Sequence, residues 1–318
     1  MKHRLVTRSD FDGLVCAVLL RKLDLIDDIF FVHPKDVQDG VVDIGPNDIL
    51  TNLPYVAEAH LVFDHHHSES ERVGHANANH VLIPEAASAA RVVYEYYSNR
   101  DGYPPLRVSD ELMAAVDQAD SAQYELEDIL HPEGWTLLNF LMDSRTGLGR
   151  FREFRVSNYQ LMMELIDHCI EHQDVDDILA LPDVAERVAL FREHEPRFID
   201  QLQRCSRVVD DVVIVDLRDE DVIYAGNRFM VYALNPQTRV SIHVMWGRER
   251  RNSVLAVGKS IVDRTSPVDI GSIMLTQGGG GHVAAGTCQV EHADLERVLD
   301  RVIAEVATPR PTDTRRAA

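Results

Sequence analysis

Along the first third of the chain, apolar and polar positions fall into short blocks of two different periods. HRLVTR, DIFFVHP, DILTNL and HLVF are brief apolar runs bounded by polar or turn-forming residues, and they read as strands. GLVCAVLLRKLDLI and EAASAARVVYEYYSNR repeat their apolar positions at helical spacing, the second with small residues on one side. DELMAAVDQADSAQY reads as a further helix, opened by Ser109 as cap with Glu111 close behind. Strands alternating with helices predict a parallel sheet covered on its faces, so residues 1–150 read as an α/β domain.

From 151 to 206 the pattern is helical and polar, which predicts a helical connector. The texture then changes. VVIVDL, FMVYAL, RVSIHVMW and VLAVGKSI are four β-rich runs in succession. PVDIGSIML reads as a helix, GTCQV as a strand and ADLERVLDRVIAEV as an amphipathic helix. This predicts a smaller α+β domain over 207–307, followed by a disordered tail at 308–318.

Composition narrows the function. The 318 residues suit two domains, and the 45% apolar content is that of a globular protein. No apolar run reaches bilayer-spanning length, and the N-terminal MKHRLVTRSD reads as lacking a secretory segment, so no membrane association is expected. Cys16, Cys169, Cys205 and Cys288 form no paired motif and read as reduced thiols of a cytoplasmic protein. A net charge of −20 argues against wrapping long duplex DNA, but leaves a small phosphorylated substrate or a short single-stranded oligonucleotide open. Arginines do gather at Arg248, Arg250 and Arg251, and at Arg145, Arg150, Arg152 and Arg155. Whether the chain acts alone or as a homodimer stays open.

Four stretches carry candidate chemistry. In SDFDG, a strand ends and Asp10 and Asp12 follow just before a helix. Ligands bind at the carboxyl ends of such strands, and two carboxylates there repel unless a cation lies between them. The plain alternative is one capping and one solvated aspartate. In LVFDHHH, Asp64, His65 and His66 also follow a strand; the plain alternative is a polar loop. If both strands share one sheet edge, aspartates and imidazoles converge, and that mixed set favours Mn2+ or a neighbour over Mg2+ alone. In AAVDQADSAQY, Asp117 and Asp120 share one helical face. In LTQGGGGHVAAGTC, Gly278, Gly279, Gly280 and Gly281 permit close backbone approach and a phosphate cradle. His282 follows them directly, and Arg264 lies upstream. His33 with Lys35 reads as an outlying neighbour of the site, better taken as solvated. His67, His75 and His80 read as loop residues. Tyr94, Tyr96 and Tyr97 read as core and interface rather than base-stacking residues. Asp143 and Arg145 read as loop residues facing the cleft.

In this order and at these separations the four stretches resemble the DHH phosphoesterase superfamily, most closely its subgroup with a C-terminal DHH-associated domain (exopolyphosphatase-related or nanoRNase-like proteins). The resemblance covers most of the chain. SDFDG looks like the first motif, DHH at 64–66 the naming motif, VDQADS the fourth motif, and GGGGH with Arg264 the signature of the associated domain. The resemblance implies hydrolysis of phosphodiesters or phosphoanhydrides at a manganese centre of one or two ions, with Mg2+ or Co2+ as substitutes. It implies Asp10, Asp12, His65 and Asp120 as metal ligands, with Asp117 as the alternative for the last. Asp64 is implied as the carboxylate behind the ligands and His66 as the group facing the scissile phosphate. Arg264, the four glycines and His282 are implied to hold substrate.

Two departures matter. The family's histidine before its first aspartate is replaced here by Thr7 and Arg8. Its middle-strand aspartate is replaced by Asn52, with Asp43 and Asp48 as less well placed candidates. Both losses fall on one metal, so one site is expected to be weakened while Asp12, His65 and Asp120 keep the other. Arg8 would supply positive charge nearby. The expected function is a manganese-dependent phosphoesterase acting on short oligonucleotides, dinucleotides or related nucleotides. An exopolyphosphatase and a catalytically degenerate nucleotide-binding protein are the alternatives.

Overall fold

The computed structural model describes residues 2–74, 77–151 and 153–307; His75, Arg152 and the tail at 308–318 lie outside the described residues. Two compact units emerge: Met1–Tyr124 with Pro132–Phe191, and Glu125–His131 with Arg192–Ala318. The polar helical stretch after residue 150 is divided between them.

The first unit is built on a parallel sheet of β1 (His3–Thr7), β2 (Ile26–Phe31), β3 (Asp48–Thr51), β4 (Leu61–Asp64) and β5 (His80–Leu82), in the order β2-β1-β3-β4-β5. Every residue of β3 and β4 is buried. Both faces are covered, which is why these strands read as unbroken apolar runs rather than as alternation. The helices are α1 (Phe11–Lys22), α2 (Pro34–Gln38), α3 (His67–Val73), α4 (Ala89–Ser98), α5 (Asp110–Asp120), α6 (Leu126–Leu130), α7 (Gly134–Met142), α8 (Asn158–Glu171), α9 (Val175–Leu179) and α10 (Pro182–Cys205). Of these, α6 and the later part of α10 belong to the second unit. The middle of α1 is apolar all round, and every residue from Phe11 to Leu20 is buried. A helix of that composition must be covered on all sides. Here α4, α5 and α8 pack against it. Ser109 caps α5 as expected, accepting from the Leu112 amide at 3.1 Å. Tyr97 is 5% exposed and packs edge-on to Tyr96 and Tyr103, a core position.

The second unit holds a mixed sheet of β6 (Ser206–Val209), β7 (Val212–Asp216), β8 (Val240–Trp246), β9 (Ser253–Lys259), β10 (Gly280–His282) and β11 (Ala285–Val290), in the order β10-β11-β9-β8-β7-β6. Only the β7–β8 pair is parallel. With α11 (Met230–Leu234), α12 (Ile270–Thr276) and α13 (Leu295–Val306) it forms an α+β unit. The core joins Val212, Ile242, Val244 and Leu255 of the sheet to Met274, Leu295, Val298 and Val302 of the helices.

Some sequence expectations change here: His67 opens α3 and His80 opens β5, so neither is a loop residue. FMVYAL is the short helix α11, not a strand. A brief apolar run carries no decisive period, and Met230, Val231 and Tyr232 are all buried in succession, as in either structure. Part of the glycine run is paired as a strand. Gly280 and Gly281 lie in the edge strand β10, hydrogen-bonded to β11. A Cβ on Gly281 would fall 2.3 Å from the Ala285 carbonyl oxygen, and one on Gly279 would fall 2.0 Å from that of Thr287, so these two are glycine because neighbouring backbone leaves no room. A Cβ on Gly280 would meet nothing within 4 Å. Among the described residues, no helix is long and apolar enough to cross a membrane. In urea unfolding, Gly281→Ala is expected to cost about 1–3 kcal/mol through overpacking, while Gly280→Ala stays within about 0.5 kcal/mol.

Candidate active site

The carboxyl ends of β1, β3 and β4 lie side by side in the first sheet, and each is followed by candidate residues: Arg8 to Asp12 after β1, Asn52 after β3, and Asp64 to His66 across the end of β4. The turn from β1 into α1 is tight. Asp10 caps α1 by accepting from the Gly13 amide at 3.0 Å, and a Cβ on Gly13 would fall 2.0 Å from the Arg8 carbonyl oxygen. Glycine is therefore required at the position that places Asp12 in the first turn of α1.

Asp12 is 2% exposed. Its Oδ1 accepts from the Ala90 amide at 2.8 Å, and its Oδ2 from the Ala89 amide at 3.2 Å and from Asn52 Nδ2 at 2.8 Å. The first amides of α4 have no partners within the helix. Asp12 takes two of them, and Ser88 takes the Arg91 amide at 3.0 Å. Burial, reinforced by Asp120, pushes the Asp12 carboxyl up to about 8.

His65 Nδ1 donates to the Ala86 carbonyl oxygen at 3.1 Å, which fixes the proton on Nδ1 and turns Nε2 inward. His65 Nε2 lies 2.8 Å from Asp120 Oδ2, but the two are not aligned as a hydrogen bond, and Nε2 is a buried nitrogen without one. Burial would depress the imidazole; Asp120, with Asp12 and Asp64, overrides it and pushes it up to about 9. Asp120 shows the reverse: burial favours its neutral form, but His65 draws it below the usual carboxylate range. Single donor atoms of Asp12, His65 and Asp120 all lie within 4.8 Å of one another, as do those of Asp64, His65 and His66. Besides Nε2 of His65, Oδ1 of Asn52 and Oδ2 of Asp64 are buried and lack partners. A mixed carboxylate and imidazole set with unsatisfied donors pointing inward fits a divalent cation.

Asp64 orders the loop behind this set. Its Oδ1 accepts from the His65 amide at 2.8 Å and the His66 amide at 3.3 Å, and lies 2.7 Å from His66 Nδ1. That hydrogen bond raises the His66 pKa against the effect of burial. The His66 side chain is 45% exposed. Arg8 Nε lies 3.0 Å from Asp10 Oδ2, and burial pushes Asp10 up despite this partner.

The structure separates Asp117 from Asp120. Asp117 Oδ2 accepts from Arg91 Nε at 2.9 Å and Nη2 at 2.5 Å, and its Oδ1 accepts from the Ser88 hydroxyl at 2.7 Å. It braces α4 against α5 while Asp120 meets His65. Asp48 is not a site residue: it begins β3, at the opposite end of the sheet, and is held by Arg4 at 2.7 Å. Asp43 is exposed near it, where its carbonyl oxygen accepts from Arg4. His33 caps α2, accepting from the Lys35 amide at 3.2 Å, and Lys35 pairs with Asp39. Arg145, bonded through Nε to Asp143 Oδ1 at 2.7 Å, adds its field to Asp10 and Asp120. Neither the cradle of α4 amides nor the Arg91–Asp117 brace was foreseeable beyond the small residues in EAASAA. In the second unit, Arg264 is exposed and donates to the Ile261 carbonyl oxygen at 3.1 Å. His282 is exposed at the end of β10 and accepts from the Ala284 amide at 3.2 Å.

No family model and no curated protein matches the sequence. Solved structures do. The chain belongs to the DHH phosphoesterase superfamily, a class of metal-dependent phosphoester hydrolases. It is similar to the pGpG-specific phosphodiesterase PggH of Vibrio cholerae, with 56% identity, 96% of this chain and 99% of that one covered, and a TM-score of 0.81. In fold it is also similar to the DHH domain of a member of a ribosomal-protein family (14% identity, 98% and 88% covered, TM-score 0.57). RecJ of Thermus thermophilus, solved in complex with Mn2+, shares the fold as well (15% identity, 97% and 53% covered, TM-score 0.50).

The two helical aspartates are expected to behave differently on substitution in the metal-free protein. Asp117→Asn should lose about 1–3 kcal/mol in urea unfolding, since it unpairs Arg91 and Ser88. Asp120→Asn should lose less than about 1 kcal/mol, because a repulsion with Asp12 disappears together with the His65 contact.

Proposed function

We propose that the chain hydrolyses the internal phosphodiester of linear dinucleotides such as pGpG, using a divalent cation, Mn2+ by preference, held by Asp12, His65 and Asp120. The observation that carries the substrate is the 56% identity, across 96% of the chain, to a phosphodiesterase specific for pGpG. Nε2 of His65, 2.8 Å from Asp120 without an aligned hydrogen bond and beside two crowded carboxylates, supports the cation. Manganese is favoured by the mixed donor set and by the RecJ fold relative solved with Mn2+, although another RecJ structure was solved with Mg2+.

When bound, the cation would polarise the phosphoryl oxygens and lower the pKa of the attacking water. The chain's own residues do the rest. Asp12, locked by α4 and Asn52, and His65, locked by Ala86, hold their donor atoms in fixed places. His66, whose pKa the Asp64 hydrogen bond raises, presents its exposed ring to the leaving group and donates the proton that O3′ needs as its bond to phosphorus breaks. Arg8 sets a guanidinium beside the charge that develops on phosphorus. One water and one pGpG then give two molecules of 5′-GMP. Arg264, His282 and the exposed Gly280 are the proposed substrate contacts of the second unit. Four free cysteines suit a cytoplasmic setting.

A hydrolysis panel with Mn2+ tests this reading: pGpG, other linear and cyclic dinucleotides, short RNA and DNA, phosphoadenosine phosphate and polyphosphate. Linear dinucleotides should be consumed fastest, with mononucleotide as product. Orthophosphate released from polyphosphate without dinucleotide turnover would overturn it in favour of an exopolyphosphatase. Tight pGpG binding without turnover would point to a degenerate binding protein. Asp120→Asn should lower turnover by a factor on the order of 10³, the equivalent of a few kcal/mol of charge stabilisation. His66→Ala should lower it by about 10²–10⁴.

A further inference from the structure

The carboxylates at this sheet edge differ in what already neutralises them. Asp10 is paired with Arg8 at 3.0 Å, and Asp143 with Arg145 at 2.7 Å. Asp64 is committed through Oδ1 to the loop amides and His66. Besides the unpartnered Oδ2 of Asp64, Asp12 and Asp120 remain. Among the described residues, neither of these two is bonded to an arginine or lysine; amides surround the first, and the second faces His65. Their two negative charges are matched by a single divalent cation.

Asn52 argues in the same direction. It is 1% exposed and held in the left-handed region at φ +55°, a conformation that asparagine and aspartate both tolerate. Its amide nitrogen faces Asp12 Oδ2 at 2.8 Å. An N–H group on that line repels a cation, whereas a carboxylate in the same place would share one with Asp12. Only Oδ1, neutral and unpartnered, is left to approach a metal. On the other side, the Arg8 guanidinium is fixed on Asp10, and Arg145 adds to the positive field there.

We propose that the site takes one divalent cation, held by Asp12, His65 and Asp120, and that Arg8 rather than a second cation neutralises Asp10. Asn52 is a positioning residue that fixes Asp12 instead of bridging two ions. This inference rests on the cation reading given above. It makes Arg8 a group that stays with the protein when metal is removed, so charge beside the phosphate is not lost with the ion.

Metal-stripped protein titrated with MnCl2 tests it, followed by calorimetry, Mn2+ paramagnetic resonance and anomalous diffraction at the manganese edge. About one ion per chain is expected, with the spectrum of a magnetically isolated ion and one peak among Asp12, His65 and Asp120. Two ions of comparable affinity with an exchange-coupled spectrum would overturn the inference and leave the phosphodiesterase reading intact. No uptake at this site would overturn both. The double variant Asn52→Asp/Arg8→Gln, with its fold checked by circular dichroism, is expected to take up a second ion. If it folds and stays at one, the roles given to Asn52 and Arg8 are wrong.

Discussion

Like charges forced together in a water-poor place must be compensated, and this requirement organises the first unit. Asp10, Asp12, Asp64 and Asp120 all gather near the carboxyl ends of β1 and β4. Burial raises the cost of charge on Asp10 and on Asp12. The surrounding structure answers with donors: the opening amides of α4 on Asp12, the Gly13 amide and Arg8 on Asp10, and the His65 and His66 amides on Asp64. What this supply does not reach is the space between Asp12, His65 and Asp120. The unit is thus a scaffold that leaves an electrostatic demand where the chemistry is expected.

The same demand explains the helices. Loop amides answer Asp64, but the buried Asp12 is met by the start of a helix, and α4 is held in that aim by the Arg91–Asp117 pair, which ties it to α5. Since α5 also carries Asp120, one brace sets the distance between the two carboxylates that face each other across the site. The apolar bulk of α1 lies beneath, in contact with both helices, so packing and charge geometry are adjusted together.

Much of this was legible along the chain, because strand ends announce themselves. Asp10 and Asp12 follow one apolar run, and Asp64 to His66 follow another, so a parallel sheet brings them together without further information. What could not be read depended on residues distant in sequence. Asp117 and Asp120 share a helical face and differ only in which side chain of another element reaches them: Arg91 for one, His65 for the other. Asn52 looked like a lost ligand, and its hydrogen bond to Asp12 emerges only when β3 is placed beside β1. The glycine run suggested a phosphate cradle because glycine frees the backbone. In the fold Gly279 and Gly281 are small because strands crowd them, while Gly278 and Gly280 are open, and composition does not distinguish these cases. FMVYAL failed for a simpler reason: it is too short to show a period.

Asp12 closes the N-terminus of α4 as well as facing the cation position. Selection on catalysis and selection on folding therefore act on one carboxylate, and neither can change it without the other. An inactive protein made by truncating this side chain would also leave two helix amides and the Asn52 nitrogen bare. Its failure would not distinguish lost chemistry from a loosened helix. A quiet change at Asp120 is the cleaner blank for this enzyme, and variants found at position 12 in any natural population should be read first as folding alleles.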